Sequence, residues 1–334
     1  MAFIGEGHDT EASEWIIRQA DQKDKRPLNI SIFGGQTDLA QALWKVKSSR
    51  SEKEYRNFIS KIRVYDINDQ DKIFSQIKEQ NPGLWYILAK AAPGTDRRQG
   101  IYRGIYLGGD ESLTSLAWLK ENVVENHGPL GKLYPLKTWT DPNPHGVMKE
   151  GDTPSWFFFL RNGLNLPESP ELGGWGGCFR KDDAGIYRDY SDSPEGKGDP
   201  RISVSRWRPD FQNDWACRMD WCVKLPEEVN NHPVVVVNHH RGNDPLRVQS
   251  KAGKNVYLDA SSTQDVDGDE LKFEWMIYPE VADTKNLILT GDRERAFLSL
   301  GTDFKEKQVS VLLKITDNGK PALTSYKRIL ISLP

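Results

Sequence analysis

Leu28-Asn-Ile-Ser-Ile-Phe33 runs without a break into Gly34-Gly-Gln-Thr37, and the next residues, Leu39 to Lys47, repeat apolar positions at helical spacing. A short apolar run, a glycine turn and an amphipathic helix make the βα unit of a parallel sheet. The pattern returns at Ile62-Arg-Val-Tyr-Asp-Ile67, which leads into Asn68-Asp-Gln-Asp71 and a helix through Ile77, and a third strand reads at Leu84-Trp-Tyr-Ile-Leu88. Upstream, Glu11 to Asp21 reads as a helix capped at Ser13, with Trp15, Ile16 and Ile17 inward. The fold expected for this half is α/β with a mostly parallel sheet. From Gly94 to Pro209 the periodicity fades into Gly, Pro and Asp, the composition of long loops laid over a sheet. Helical character resumes at Asp214 to Cys222.

Pro226 to His232 reads as a linker, beyond which the pattern changes. Val234–Val237, Val256–Leu258, Leu271–Met276, Ala296–Leu300, Val309–Ile315 and Arg328–Ser332 are short, rich in β-branched and aromatic residues, and separated by turn residues. That spacing predicts an immunoglobulin-like β-sandwich. The expected division is 1–230 for the α/β domain and 231–334 for the sandwich. At 334 residues the chain has room for both.

With Lys+Arg 45 against Asp+Glu 48, the chain has no basic footprint for nucleic acid or an anionic membrane. No apolar run approaches the ~20 residues of a membrane span, and the polar, acidic start is no signal peptide. Cys178, Cys217 and Cys222 fit no zinc spacing. No dinucleotide, P-loop or nucleophile-elbow motif follows any strand, and His127, His145 and His232 read as loop histidines without a carboxylate at suggestive spacing.

Ligands of open α/β sheets sit at the carboxyl ends of the strands, which singles out Gly34 to Asp38 together with Asp66, Asn68, Asp69 and Asp71. Such aspartates also serve simply as turn and cap residues. In the second half, Asp265, Asp267 and Asp269 alternate around a glycine, with Asp259 nearby. They read either as carboxylates gathered on calcium or as a turn that caps its own backbone. The 11 tryptophans concentrate between Trp118 and Trp221, among loop residues. Indoles there either fill a loop-rich core or offer faces to sugar rings.

Four segments carry a family resemblance along nearly the whole chain: Gly34-Gly-Gln-Thr-Asp-Leu-Ala-Gln-Ala-Leu43, Ile67-Asn-Asp-Gln-Asp71, Tyr102-Arg-Gly-Ile-Tyr-Leu-Gly-Gly-Asp110 and Asn126-His-Gly-Pro-Leu-Gly131. Gly151-Asp-Thr-Pro-Ser155, Gly173-Gly-Trp-Gly-Gly177, Asn231 to Asn238 and the Leu258 to Asp269 turn add to it. The chain resembles bacterial cellulose-binding proteins whose main domain is similar to nucleoside hydrolases and whose second domain is a β-sandwich. The resemblance implies a carbohydrate or nucleoside-like ligand, export to the periplasm or beyond, and calcium at the carboxyl edge of the sheet. Residue by residue it implies Thr37 and Asp214 as metal ligands, Asn213 beside the leaving base, and Glu150 and Asp152 at sugar hydroxyls. Asn213 stands where the family has a histidine, so it cannot be an acid for a nucleobase.

The front departs from the pattern: Glu6-Gly-His-Asp-Thr-Glu-Ala-Ser13 normally follows an aspartate cluster that supplies the base and two metal ligands. The first βα units are therefore expected to be missing, the sheet to carry an exposed edge, and no catalytic residue is assigned. Two functions follow from the resemblance. The first is a carbohydrate (cellulose)-binding protein of polysaccharide metabolism, with Trp156, Trp175 and Trp207 as stacking platforms. The alternative is a calcium-dependent hydrolase of N-glycosyl or other glycosyl bonds.

Overall fold

The computed structural model describes residues 3–137, 148–193, 196–280 and 286–334. His145 lies outside them. The α/β half opens with α1 (Glu11–Ala20), β1 (Leu28–Ile32), α2 (Gln36–Ser49), α3 (Glu52–Ser60), β2 (Ile62–Ile67), α4 (Phe74–Gln80) and β3 (Trp85–Ala89). β1, β2 and β3 pair in parallel, as the repeated βα pattern requires. α1 starts at a Thr10 capping box, in which Ser13 supplies the reciprocal bond rather than the cap itself. One mixed core packs these helices on the sheet through Leu39, Leu43, Val46, Phe58, Val64 and Tyr86.

Two short strands were not legible in the irregular stretch: β4 (Cys178–Lys181) and β5 (Tyr187–Tyr190). They form a hairpin whose turn is held by the Asp182 carboxylate, which accepts the Ala184 and Ile186 amides at 3.0 and 2.9 Å. β5 joins β3 in parallel, giving the order β1-β2-β3-β5-β4. β1 is an edge of this sheet, as expected. α5 (Leu116–Leu119), α6 (Gly128–Leu133), α7 (Thr153–Phe157) and α8 (Ile202–Ser205) are short pieces among the loops, and α9 (Arg208–Trp221) is a full helix. α9 begins six residues before the expected Asp214, because Pro209 fits the first turn, where no amide partner is lost.

The irregular loops solve their backbone problem with buried arginines. The Arg208 guanidinium, wholly buried, donates to the carbonyls of Gly104, Ile105, Leu107 and Gly108. Short helical turns leave such carbonyls unpaired, and a planar five-donor fork can satisfy several at once.

The second half holds β6 (Val236–Val237), β7 (His240–Arg241), β8 (Leu246–Gln249), β9 (Asn255–Asp259), β10 (Lys272–Ile277), β11 (Leu287–Asp292), β12 (Arg295–Leu300), β13 (Gln308–Thr316) and β14 (Thr324–Ser332). Sheets β10-β13-β14-β8 and β11-β12-β9 face each other over Val256, Leu258, Leu298, Val311, Leu313 and Ile329. This is the expected sandwich of immunoglobulin-like type. The two halves meet along β14, where Gly163, at φ +85°, lies so close to Tyr326 that a Cβ would fall 2.1 Å from its carbonyl oxygen. Among the described residues no helix is long and apolar enough to cross a membrane.

Asp66, the penultimate residue of β2 in the α/β half, is fully buried. One carboxylate oxygen accepts Gln36 Nε2 and the Tyr86 hydroxyl, both at 2.8 Å, while the other has no partner. Burial pushes its carboxyl up to about 7, against the pull of Tyr86, with Asp69 and Asp71 adding repulsion. The folded state therefore holds a proton that the unfolded chain releases near pH 4. This contribution to stability is complete below the unfolded value and is lost as pH rises through about 7. The unfolding free energy from urea titrations should fall between about pH 5 and about pH 8 by roughly 2–3 kcal/mol from this group, and Asp66→Asn should flatten that slope. A variant with the parent's slope would remove Asp66 as its source.

Candidate functional site

α7 and α9 wall a pocket of about 370 Å³, large enough for one or two sugar rings. α9 lines it with Phe211, Gln212, Asp214, Trp215 and Arg218. The spacings 211/215 and 214/218 put aromatic and charged pairs one turn apart on one face. α7 contributes Thr153, Trp156 and Phe157 at the same kind of spacing, and Glu150, Leu160, Met148 and Ile105 close the rest.

The pocket is apolar with a few fixed polar groups. Trp215 packs on Trp118 and Tyr134 at ring distances of 5.6 and 5.2 Å. Trp156 sits edge-on to Phe157 yet remains 49% exposed, so an indole face is open at the mouth. Glu150 is held by the Tyr134 hydroxyl at 2.7 Å and the Thr153 hydroxyl at 2.9 Å. Asp152, half-buried just before α7, is shifted upward by burial and by the Glu150 charge, with Arg103 opposing.

Asp214 accepts Arg218 Nε at 2.7 Å and His232 Nε2 at 2.8 Å. Burial alone would raise its carboxyl, but the bonds from His232 and Arg218 outweigh that and hold it below the usual range. His232 Nδ1 faces the Thr324 carbonyl at 3.0 Å, so both contacts are hydrogen bonds only when both ring nitrogens carry protons. The expectation that the loop histidines lack carboxylate partners is corrected at two positions. His232 meets Asp214, and His127 meets Asp220 at 3.2 Å, because folding joins segments that sequence spacing keeps apart.

The remaining expected site residues are dispersed. Thr37 faces Asp71, whose carboxylate takes its amide at 3.3 Å and its hydroxyl at 3.4 Å. It does not line the pocket that Asp214 and Glu150 share. A calcium ion there would need free Asp214 oxygens, whereas both are occupied by hydrogen bonds with Arg218 and His232. That donor set does not fit the ion. Asn213 donates to the Ala322 carbonyl at 2.9 Å, across to the sandwich. Trp175 and Trp207 are each 3% exposed, packed against Tyr326, and have no open face in this structure. Trp215, Gln212 and Arg218 were missed. Recognising Pro209 as a helix start would have placed them on one face with Asp214.

Among the described residues, Asp265, Asp267 and Asp269 form the one group of metal-ligating side chains that converges, with oxygens within 4.8 Å of one another. The Asp265 Oδ2 atom is buried without a partner, an orphan that a cation would satisfy. This exposed cluster could hold a metal ion.

Residues 1–179 match a family model described as cellulose-binding Sde182, nucleoside hydrolase-like domain, and residues 255–333 match cellulose-binding protein Sde0182, C-terminal domain. A comparison with curated proteins finds no match. The chain is similar over its whole length, at 29% identity and a TM-score of 0.80, to a structure covering 78% of its own chain. That structure is described as a nucleoside hydrolase-related hypothetical protein from Saccharophagus degradans associated with carbohydrate metabolism. About a third of the chain also aligns with murine CRIg (11% identity, 31% of this chain, 99% of that one, TM-score 0.23). A mouse clustered protocadherin aligns too (16%, 30% and 34%, TM-score 0.20). The sheet order, the sandwich and the family matches together place this chain in the Sde182 family of cellulose-binding proteins with a nucleoside hydrolase-like domain.

Proposed function

We propose that this protein, divided into units 1–230 and 231–334, binds a β-glucan such as cellulose, exported beyond the cytoplasm, and takes a sugar at the α7–α9 pocket. The observation that carries the reading is Trp156, an indole half open at an apolar pocket whose lining also includes Glu150 and the Asp214–Arg218 pair. The C–H face of a glucose ring stacks on such an indole, while its hydroxyls need fixed donors and acceptors. Glu150 offers acceptors, and Arg218 offers donors. Asp214, with both oxygens held by Arg218 and His232, serves better as a fixed acceptor than as a metal ligand. That favours binding over calcium-dependent hydrolysis. We assign calcium instead to the Asp265–Asp269 turn, as a structural ion.

The test is retention of the full chain on insoluble cellulose. Trp156→Ala should weaken retention by on the order of 10-fold, the loss of about 1.4 kcal/mol of stacking. Because Trp156 is exposed, the variant should melt like the parent. Unchanged retention would move binding elsewhere. Calcium-dependent release from a chromogenic riboside, abolished in Asp214→Asn, would instead restore the hydrolase reading.

A further inference from the structure

We propose that the outer face of the β11-β12-β9 sheet is a second sugar-binding surface, with the Tyr257 ring, propped by Phe297, as its platform. It rests on the β-glucan reading for the identity of the ligand and adds a separate site in the sandwich.

The pleat sorts these strands into two faces. Val256 and Leu258 of β9, Ala296, Leu298 and Leu300 of β12 and Leu287 of β11 are buried in the sandwich. The alternate residues point outward. Strand pairing sets Tyr257, Phe297 and Thr290 side by side in one row, and Asn255, Ser299 and Ile288 in the next. On the other side of the Tyr257 row lie Asp259, Arg295 and Asp292, with Arg295 Nε 3.4 Å from Asp259 Oδ2. Tyr257 is 71% exposed and Ile288 67%. Single exposed apolar residues are ordinary, but large ones grouped on one sheet face mark an interaction site. The Phe297 ring meets the Tyr257 ring in a T-shaped contact with centroids 5.0 Å apart. That contact fixes the tyrosine, so little rotamer freedom is lost when a ligand stacks on it.

Size and charge identify the occupant. Three strands ~4.8 Å apart and about five residues long present on the order of 200 Å², about a quarter of what each partner gives a stable protein interface. A second copy of this chain would be held weakly by so small a face, whereas a few sugar rings fit it. Arg295 stands between two aspartates, so these rows offer an anionic polymer no free counter-charge. What remains at the centre is an aromatic ring flanked by the hydroxyls of Ser299 and Thr290 and the carboxamide of Asn255. That combination suits a neutral polyol with apolar C–H faces, which is the chemistry of a β-glucan. A second site on the same chain raises retention on an insoluble lattice, because the first contact increases the effective concentration of the second.

The experiment compares binding isotherms of the full chain on insoluble cellulose for the parent, Tyr257→Thr, Trp156→Ala and the double variant. Threonine removes the ring but keeps a strand-favouring residue at an exposed position, so the variant should melt like the parent. Tyr257→Thr should weaken retention roughly 10-fold, and the double variant should show the product of the two single losses. If Tyr257→Thr is retained like the parent while Trp156→Ala is released, the second surface is wrong and the pocket reading stands. The reverse pattern keeps the surface and removes the pocket. Full retention of the double variant overturns both. A parent that sediments as a dimer, with Tyr257→Thr a monomer of unchanged retention, would make the face a contact between copies and overturn the proposal.

Discussion

Replacing Arg328 with methionine should lower the unfolding free energy by about 4 kcal/mol. Arg328 lies on β14, is 1% exposed, and points out of the sandwich into the α/β half. Its guanidinium donates to the Leu164 carbonyl at 2.8 and 2.6 Å, to Leu172 and Gly173 at 3.1 Å, to Tyr278 at 3.2 Å and to Ser310 Oγ at 2.7 Å. Methionine keeps much of the stem volume but leaves four buried carbonyls with one donor fewer, each costing about 1–3 kcal/mol before relaxation. Burial lowers the guanidinium to about 10, still charged at neutral pH, so carbonyl and hydroxyl dipoles and the Tyr278 ring, 5.6 Å away, hold the cation without a carboxylate bond. Arg328→Lys should recover only part of the loss, because a compact ammonium cannot span carbonyls on three separate segments. Urea denaturation of both variants checks this. A lysine variant as stable as the parent would mean that charge, rather than the planar fork, is what the interface requires.

Asp210→Ala should cost about 3–5 kcal/mol, through a different mechanism. Asp210 lies in the first turn of α9, where a negative charge is favoured, and is 5% exposed. From across the domain boundary it accepts Lys314 Nζ at 2.8 Å, the Tyr326 hydroxyl and Thr324 Oγ1 at 3.3 Å. Truncating it strands the largely buried Lys314 ammonium without a counter-charge. Adding Lys314→Met to Asp210→Ala should therefore restore roughly 2 kcal/mol or more, since an apolar replacement of both partners is far less costly than an unpaired charge. Additive losses in the double variant would show that Asp210 acts through Tyr326 alone. In either case the chemical midpoint, read by near-ultraviolet signals of the interface tryptophans, reports directly on the contact between domains.

The regular parts of this protein were written locally. β1, β2 and β3 could be read from apolar runs ending in glycine or aspartate turns, and β9, β10, β12, β13 and β14 from short β-branched segments, because side-chain periodicity records which face each element buries. β8 and β11 escaped because their residues are largely half-exposed or exposed, so no strong apolar run marks them. β4 and β5 are four residues each and exist only because β3 offers β5 a partner. The site shows the same division. Glu150, Trp156 and Asp214 could be named from the resemblance, but their meeting in one pocket depends on where α7 and α9 pack. Nothing local distinguishes Trp156, open to a ligand, from Trp175 and Trp207, sealed in the core. Burial is a property of what the rest of the chain brings to a residue. The sequence by itself determined the order of the elements, the two architectures and the aspartate turn. Only the tertiary structure decided that His232 pairs with Asp214 and that Arg328 stitches the halves together. Those partners are 18 to more than 150 residues apart, and long-range electrostatic pairing leaves no periodic trace in the chain.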